Sequence, residues 1–193
     1  MNCNNITILC PYNKEINKLN KKCQEIYHGN IGSDYLDYKY GIKWIVGDRV
    51  MMTENMSKAN VFNGDEGIIT KINHLEESVT VEFDRNTLKF SKDNDDILDK
   101  DDIDENTLPL KYLTHSYAMT INKSQGSEWK YVILYIPYPA RLSFCNFKLI
   151  YTGITRAKEI VRLIGYHSIL NKIANTKPPK YHDNLSQRLI DYL

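Results

Sequence analysis

Two short stretches hold residue types that can handle a phosphate group. In Gln125-Gly126-Ser127-Glu128 the glycine allows close backbone approach to an anion, and the glutamate two positions on can accept hydrogen bonds from a ribose hydroxyl. Some thirty positions later comes Arg156, whose guanidinium fork suits a phosphate clamp. Delivered across an interface, such an arginine stabilises the charge spread over a transferring γ-phosphoryl group. Each has a plainer reading: a glycine closing a helix before a surface glutamate, and an arginine in a salt bridge. Nowhere in the 193 residues is there a G-x-x-x-x-G-K-[ST] loop, so the backbone cradle and lysine that commonly hold nucleotide phosphates are missing.

The elements that would position these residues read as α/β. A short apolar run at 6–10, closed by Pro11, predicts a buried strand of a parallel sheet. Ile16, Leu19, Cys23 and Ile26 recur at spacings of three and four, which predicts a helix over 14–27 with one apolar face, ended by Gly29 and Gly32. From 42 to 82 the texture changes to alternating apolar and polar residues broken by Gly47, Asn63-Gly64 and Gly67. Within it, 68–72 and 79–83 predict antiparallel strands around a turn near 73–78. The acidic run at 93–105 reads as a solvated loop or connector. A helical stretch from about 115 is expected to end at Gln125-Gly126, followed by a strand starting near 131, a helix over 146–158 that carries Arg156, a strand over 160–166 and a helix over 168–174. Pro178-Pro179 breaks the pattern. The organisation expected is a RecA-like parallel sheet flanked by helices over 1–40 and 107–193, interrupted by a small β module with its acidic connector over 41–106.

Composition narrows the classes. With 25 Lys and Arg against 24 Asp and Glu, the formal charge is +1, so no global basic field draws in a nucleic acid and any such partner needs a local groove. Cys3, Cys10, Cys23 and Cys145 show neither C-x-x-C spacing nor paired histidines, which predicts reduced thiols rather than zinc. The sequence shows no signal-peptide pattern, and its most apolar run, 131–138, is too short to span a bilayer, so the expectation is a soluble, intracellular protein with no membrane partner.

The motifs resemble those of a known family. Thr-Ile-Asn-Lys-Ser-Gln-Gly-Ser-Glu at 120–128 is similar to motif V of superfamily 1B helicases, usually T-x-H-K-x-Q-G-x-E, and Tyr-Thr-Gly-Ile-Thr-Arg-Ala-Lys-Glu at 151–159 is similar to motif VI of the RecD-like branch. Two supporting stretches fall in collinear order. Leu9-Cys10-Pro11-Tyr12-Asn13-Lys14 with Leu19-Asn20 resembles the motif IV region, and Gly47-Asp48-Arg49-Val50-Met51 with 62–67 resembles the entry to the SH3-like 2B insert. The resemblance implies the second motor domain, 2A, carrying that insert, within an ATP-dependent helicase that moves 5′ to 3′ on DNA. It implies ATP with Mg2+ held between 2A and a P-loop-bearing 1A domain, supplied in cis or in trans; alone the chain would hydrolyse nothing. It also implies that Arg156 is the arginine finger, that Gln125, Gly126 and Glu128 face the nucleotide with Lys14 near it, and that Thr120, Asn122, Lys123 and Ser124 line a single-stranded DNA track. One departure is Asn122 where the family usually has histidine: it can donate a hydrogen bond but cannot stack. Trp129, where phenylalanine is common, reads as core.

Two other readings stay open. One is a standalone nucleic-acid-binding or adaptor module that kept the 2A fold. The other is a Pif1-like or Dda-like helicase, although Tyr-Thr-Gly-Ile-Thr-Arg-Ala-Lys fits the RecD-like form better than the Val-Ala-Leu-Ser-Arg form.

Overall fold

The computed structural model describes residues 5–29, 34–97 and 99–176; Cys3, Gly32 and Pro178-Pro179 lie outside them. Two sheets carry the fold. The first is parallel and four-stranded, with β1 (Ile6–Cys10), β10 (Ala118–Thr120), β11 (Trp129–Ile136) and β12 (Ala157–Gly165) in the order β10-β1-β11-β12. Ile8 stands opposite Ala118 on one side and Ile133 on the other, and Trp129 opposite Ala157. Leu9, Val132, Leu134 and Ile136 are buried, as expected for strands sandwiched in a parallel sheet. Helix α1 (Asn13–His28) packs on β10 and β1, α2 (Phe147–Ile154) on β11 and β12, and α3 (His167–Asn175) buries Ile173 in the same core.

The second sheet has six strands: β4 (Arg49–Met52), β5 (Glu66–Asn73), β6 (Ser78–Phe83), β7 (Thr87–Ser91), β8 (Thr107–Pro109) and β9 (Leu113–His115), in the order β8-β7-β6-β5-β4-β9. The expected hairpin is present, with Asn73 opposite Ser78. A small ribbon of β2 (Leu36–Tyr38) and β3 (Ile42–Trp44) adds Leu36 and Trp44 to this sheet's core, which runs on to Leu113. The β module therefore takes in residues on both sides of the expected limits of 41 and 106. Strand pairing decides this: β9 reads as part of the returning α/β segment, yet it hydrogen-bonds to β4.

Three further expectations are corrected. The stretch from 115 is no helix: Ala118–Thr120 is a strand buried on both faces, followed by turns over 121–126. Helix α2 stops at Ile154, where the Thr152 and Thr155 hydroxyls donate back to the Lys148 and Thr152 carbonyls, so Arg156 lies between helix and strand. The acidic run departs only in part from a solvated connector: Asp93, Asp96, Asp99, Asp102, Asp104 and Glu105 are exposed, but the run forms two short 3-10 turns and buries Asp95, whose carboxylate accepts from the Tyr38 hydroxyl, from Lys39 Nζ at 3.1 Å and from the Lys111 N–H at 2.7 Å.

Helix α1 forms where its periodicity places it, but its most buried positions are not the apolar ones. Ile26 is 72% exposed, whereas the buried positions are the polar Asn20 and Gln24. Ala118 pairs with β1 on one side only, and Asn20 serves the other: its amide donates to the Ala118 and His115 carbonyls at 3.1 Å and accepts from the Ala118 N–H at 2.7 Å. Gln24 donates to Lys43 O and to Asp48 Oδ2, both at 2.7 Å. The fully buried Asp48 carboxylate also accepts from the Ile45 N–H (2.9 Å) and the Tyr117 hydroxyl (2.9 Å), and meets His28 Nε2 (2.8 Å) and His115 Nε2 (3.2 Å).

Burial alone would raise the Asp48 carboxyl, but the hydrogen bond and charge of His115, with the Ile45 N–H and Tyr117 hydroxyl, outweigh it and hold the group below the usual carboxylate range. A folded-state value below the unfolded one contributes stability above the unfolded pKa, about 3.9 for an aspartate, and that stability is lost as pH falls through the lower folded value. Asp48→Ala should cost about 3–5 kcal/mol in urea unfolding at pH 7, because the histidines and Gln24 lose a buried partner. The deficit relative to the parent should shrink below pH 4.

Candidate nucleotide and nucleic-acid sites

The parallel sheet sorts the sequence-identified residues onto two edges. All four strands run the same way, so the residues before β11 and β12 share the N-terminal edge and those after β1 and β10 share the C-terminal edge. Arg156, just before β12, reaches the Ser127 carbonyl with its side chain and the Trp129 N–H with its own carbonyl, so it meets the segment 127–129 at the N-terminal edge, while Gln125 and Gly126 belong to the turn over 121–126 that leads there from Thr120. Lys14, in the first turn of α1 after β1, stands at the C-terminal edge instead, where Cys10 pairs with Thr120 and the Ile121 N–H donates to Cys10 O at 3.1 Å. Across a five-residue strand the two edges lie roughly 16 Å apart. Lys14 therefore stands at the other end of the strands from Arg156; a residue number after a strand does not say which edge the partner strands present.

At the N-terminal edge, Arg156 is tied down by neutral acceptors. Its Nε donates to Thr152 O, Nη1 to Ser127 O and Nη2 to Thr155 Oγ1, each at 3.3 Å, and its own carbonyl accepts from the Trp129 N–H at 3.0 Å. No carboxylate among the described residues pairs with it, so a fixed, half-buried guanidinium keeps an uncompensated charge beside the 125–128 turn. Gly153 sets the approach of α2: a Cβ there would sit 3.0 Å from Leu134 Cδ1 and 3.5 Å from Ile121 Cγ1. Gly126 has φ +92°, with open space around the position of a Cβ, so it needs glycine for its backbone and leaves that face clear. Glu128 is exposed and pairs with Lys158 at 3.6 Å, a solvated pair that constrains it little.

Trp129 is buried in the sheet core, as read, and its Nε1 donates to Glu66 Oε2 at 3.4 Å. Arg49 joins them, donating through Nη2 to the same Glu66 oxygen at 3.4 Å and through Nη1 to Ile6 O at 2.5 Å. Burial pushes the Glu66 carboxyl up, partly offset by Arg49. Glu66, Glu82, Asp84, Asp65 and Glu128 line a cleft of about 400 Å³ together with Arg49, so its lining is mainly acidic and disfavours an anion.

The 120–124 turn divides differently. Thr120 and Ser124 are buried and occupied within the turn: Thr120 Oγ1 accepts from the Lys123 N–H at 3.3 Å, and the Ser124 hydroxyl donates to Ile121 O at 2.7 Å. Only Asn122 and Lys123 face solvent, so the other two shape the turn that presents them. At the same edge the sequence reading overlooked a cavity of about 480 Å³ between Pro11–Lys14 and the loop 139–144. Tyr12 and Phe144 stack there, ring centres 5.7 Å apart, and the Arg141 N–H donates to the Tyr12 hydroxyl at 2.7 Å. The partners are 129 residues apart, and no local pattern signals the pairing. Behind it, burial pushes the Cys10 and Cys145 thiols up to about 11, which leaves them protonated and unreactive. Among the described residues no cluster of three or more His, Cys, Asp or Glu is placed to hold a metal ion, and no helix is long and apolar enough to cross a membrane.

This parallel sheet, with motif-bearing turns at its edges and an inserted β module, is a helicase motor fold. Residues 115–164 match the UvrD-like helicase C-terminal domain, and 19–83 match the SH3 domain of ATP-dependent RecD-like DNA helicases. A Pif1 helicase from Bacteroides, solved with ADP-AlF3 and single-stranded DNA, superposes with a TM-score of 0.61 at 22% identity, over 97% of this chain and 44% of that one. The RecD subunit of the RecBCD enzyme of Buchnera aphidicola (subspecies Acyrthosiphon pisum) is 33% identical over 167 residues, covering 82% of this chain. The ATP-dependent RecD2 DNA helicase of Deinococcus radiodurans is 29% identical over 113 residues, 58% of this chain and 13% of that protein. The chain thus belongs with the RecD-like superfamily 1B helicases, as a motor domain of the C-terminal, SH3-bearing kind. It spans 24% of the length of the Buchnera relative.

Because Gly126 is constrained by its backbone and not by its surroundings, Gly126→Ala should lower stability by about 1–3 kcal/mol and Gly126→Asn by less, since asparagine tolerates positive φ. Urea unfolding of the two variants checks the order; equal costs would contradict it.

Proposed function

We propose that this chain is the 2A portion of an ATP-dependent 5′-3′ DNA helicase, closing on a P-loop-bearing 1A domain held in cis or in trans. The observation that carries the reading is the contact of Arg156 with the Ser127 carbonyl, which sets the guanidinium against the 125–128 segment while neutral acceptors hold it and no carboxylate among the described residues pairs with it. In this reading Arg156 is the arginine finger: its fork meets the γ-phosphoryl oxygens as charge develops, already oriented by Thr152, Ser127 and Thr155. The open backbone at Gly126 lets the phosphates approach, Gln125 lies beside them, and Glu128 accepts from the ribose. The nucleotide, as ATP with Mg2+, supplies the transferable phosphoryl group. The metal ligands are assigned to the 1A domain, and Lys14 is withdrawn from the nucleotide set because it stands at the other edge.

The track for single-stranded DNA is assigned to Asn122 and Lys123, with Thr120 and Ser124 supporting the turn. The 2B-like insert is assigned to 36–115, following the strand pairing. Hydrolysis would relax the closure of the two domains, and each cycle would move the strand past the sheet.

With the P-loop domain supplied, Arg156→Ala should reduce kcat for DNA-stimulated ATP hydrolysis by roughly 10³–10⁵ while leaving single-strand affinity unchanged. Arg156→Lys should fail to restore it, because an ammonium lacks the fork. Near-normal turnover by Arg156→Ala would overturn the assignment. Lys123→Ala should weaken strand binding and flatten its salt dependence by about one phosphate contact.

A further inference from the structure

The cavity between α1 and the 139–144 loop lies where chain direction divides. From β1 the chain passes into α1, which packs toward β10, whereas from β11 it passes through α2 to β12 on the opposite side. The crevice outside the carboxyl ends of two such strands is where open α/β sheets take ligands. Its volume, about 480 Å³, is within the usual range for ligand cavities. Its walls are specific in character: the stacked Tyr12 and Phe144 rings offer π-faces, with Phe144 45% exposed, and Lys14 and Arg141 add two cations at the rim. Pro11 and Pro139 stiffen the two segments, and the hydrogen bond from the Arg141 N–H to the Tyr12 hydroxyl holds one ring against the opposite loop.

We propose that this cavity is a base-stacking subsite for one nucleotide of a single-stranded nucleic acid, the base lying against Phe144 and Tyr12 and the flanking phosphates meeting Lys14 and Arg141. Aromatic faces with adjacent cations match the chemistry of an unpaired nucleotide: the π-face of any base stacks without sequence preference, and phosphates follow a basic rim. The occupant is a strand and not the hydrolysed nucleotide, because the phosphate-handling residues stand at the far edge of the sheet. Asn122 and Lys123 follow directly from the strand that pairs with Cys10 at this edge, so the cavity continues the assigned track. The inference rests on that reading and adds a stacking site to phosphate contacts, placed where Asn122 cannot stack.

The test is fluorescence anisotropy of a labelled twelve-nucleotide oligothymidylate with the 193-residue chain at low salt, beside an abasic strand of equal length. Phe144→Leu, which keeps apolar bulk and removes the π-face, should weaken binding of the oligothymidylate on the order of tenfold, and Phe144→Trp should restore it. Neither change should alter affinity for the abasic strand, and circular dichroism should show both variants folded. Unchanged affinity in Phe144→Leu, with Lys123→Ala still weakening it, would overturn the subsite and leave the helicase reading standing. Displacement of the oligothymidylate by equimolar ATP would make the cavity a mononucleotide site and overturn the proposal. The absence of any salt-sensitive strand binding would remove both the track and the subsite.

Discussion

A fully buried carboxylate, Asp48, ties the β module to the parallel sheet and its helix where the two meet. Asp48 sits in the turn between β3 and β4, fully out of solvent, and draws Gln24 and His28 from α1, His115 from the end of β9 and Tyr117 from the segment leading into β10. An unpaired carboxylate there would be prohibitively costly to desolvate, so the partners must all arrive together. That requirement fixes how the β module sits on the motor sheet. A second polar joint, from Arg49 to Glu66 and Ile6 O with Trp129 donating to Glu66, fixes it again at the other side of β4. The hydrophobic cores lie on either side of these joints and are distinct.

The consequence for function is mechanical. Arg156 with Glu128, before β12 and β11, and Lys14 with Asn122, after β1 and β10, stand at opposite ends of the same parallel sheet. Closely packed strands do not stretch, so a displacement at one edge is carried to the other as a rigid-body movement. In the proposed cycle no separate relay is needed between nucleotide and strand: β1 and β11 are the connection. The β module, tied to the same sheet by Asp48 and Arg49, would move with it.

The α/β alternation, strands β1, β11 and β12, helix α1 and the β5–β6 hairpin were legible because each depends on local periodicity or turn chemistry. Gln125, Gly126, Glu128 and Arg156 came together as a set only through the resemblance of their two segments to helicase motifs; taken singly, each had a plainer structural reading. Where the reading failed, a distant partner overrode the local signal. Ala118–Thr120 carries a pattern that fits a helix, but β1 was available to pair with it. The polar face of α1 is buried because an edge strand needed its backbone groups satisfied, a demand no helical periodicity expresses.

The sequence by itself determined the residue types and their order: a glycine able to take positive φ, an arginine thirty positions on, a module bounded by changes of texture, and the family to which these belong. The tertiary structure alone decided which of them meet. It set Arg156 against the Ser127 carbonyl, sent Lys14 to the opposite edge, turned Thr120 and Ser124 inward and brought Phe144 onto Tyr12. Parallel pairing is the reason: register and strand order are set by long-range contacts whose free energy is shared over the whole sheet, and no short segment encodes them.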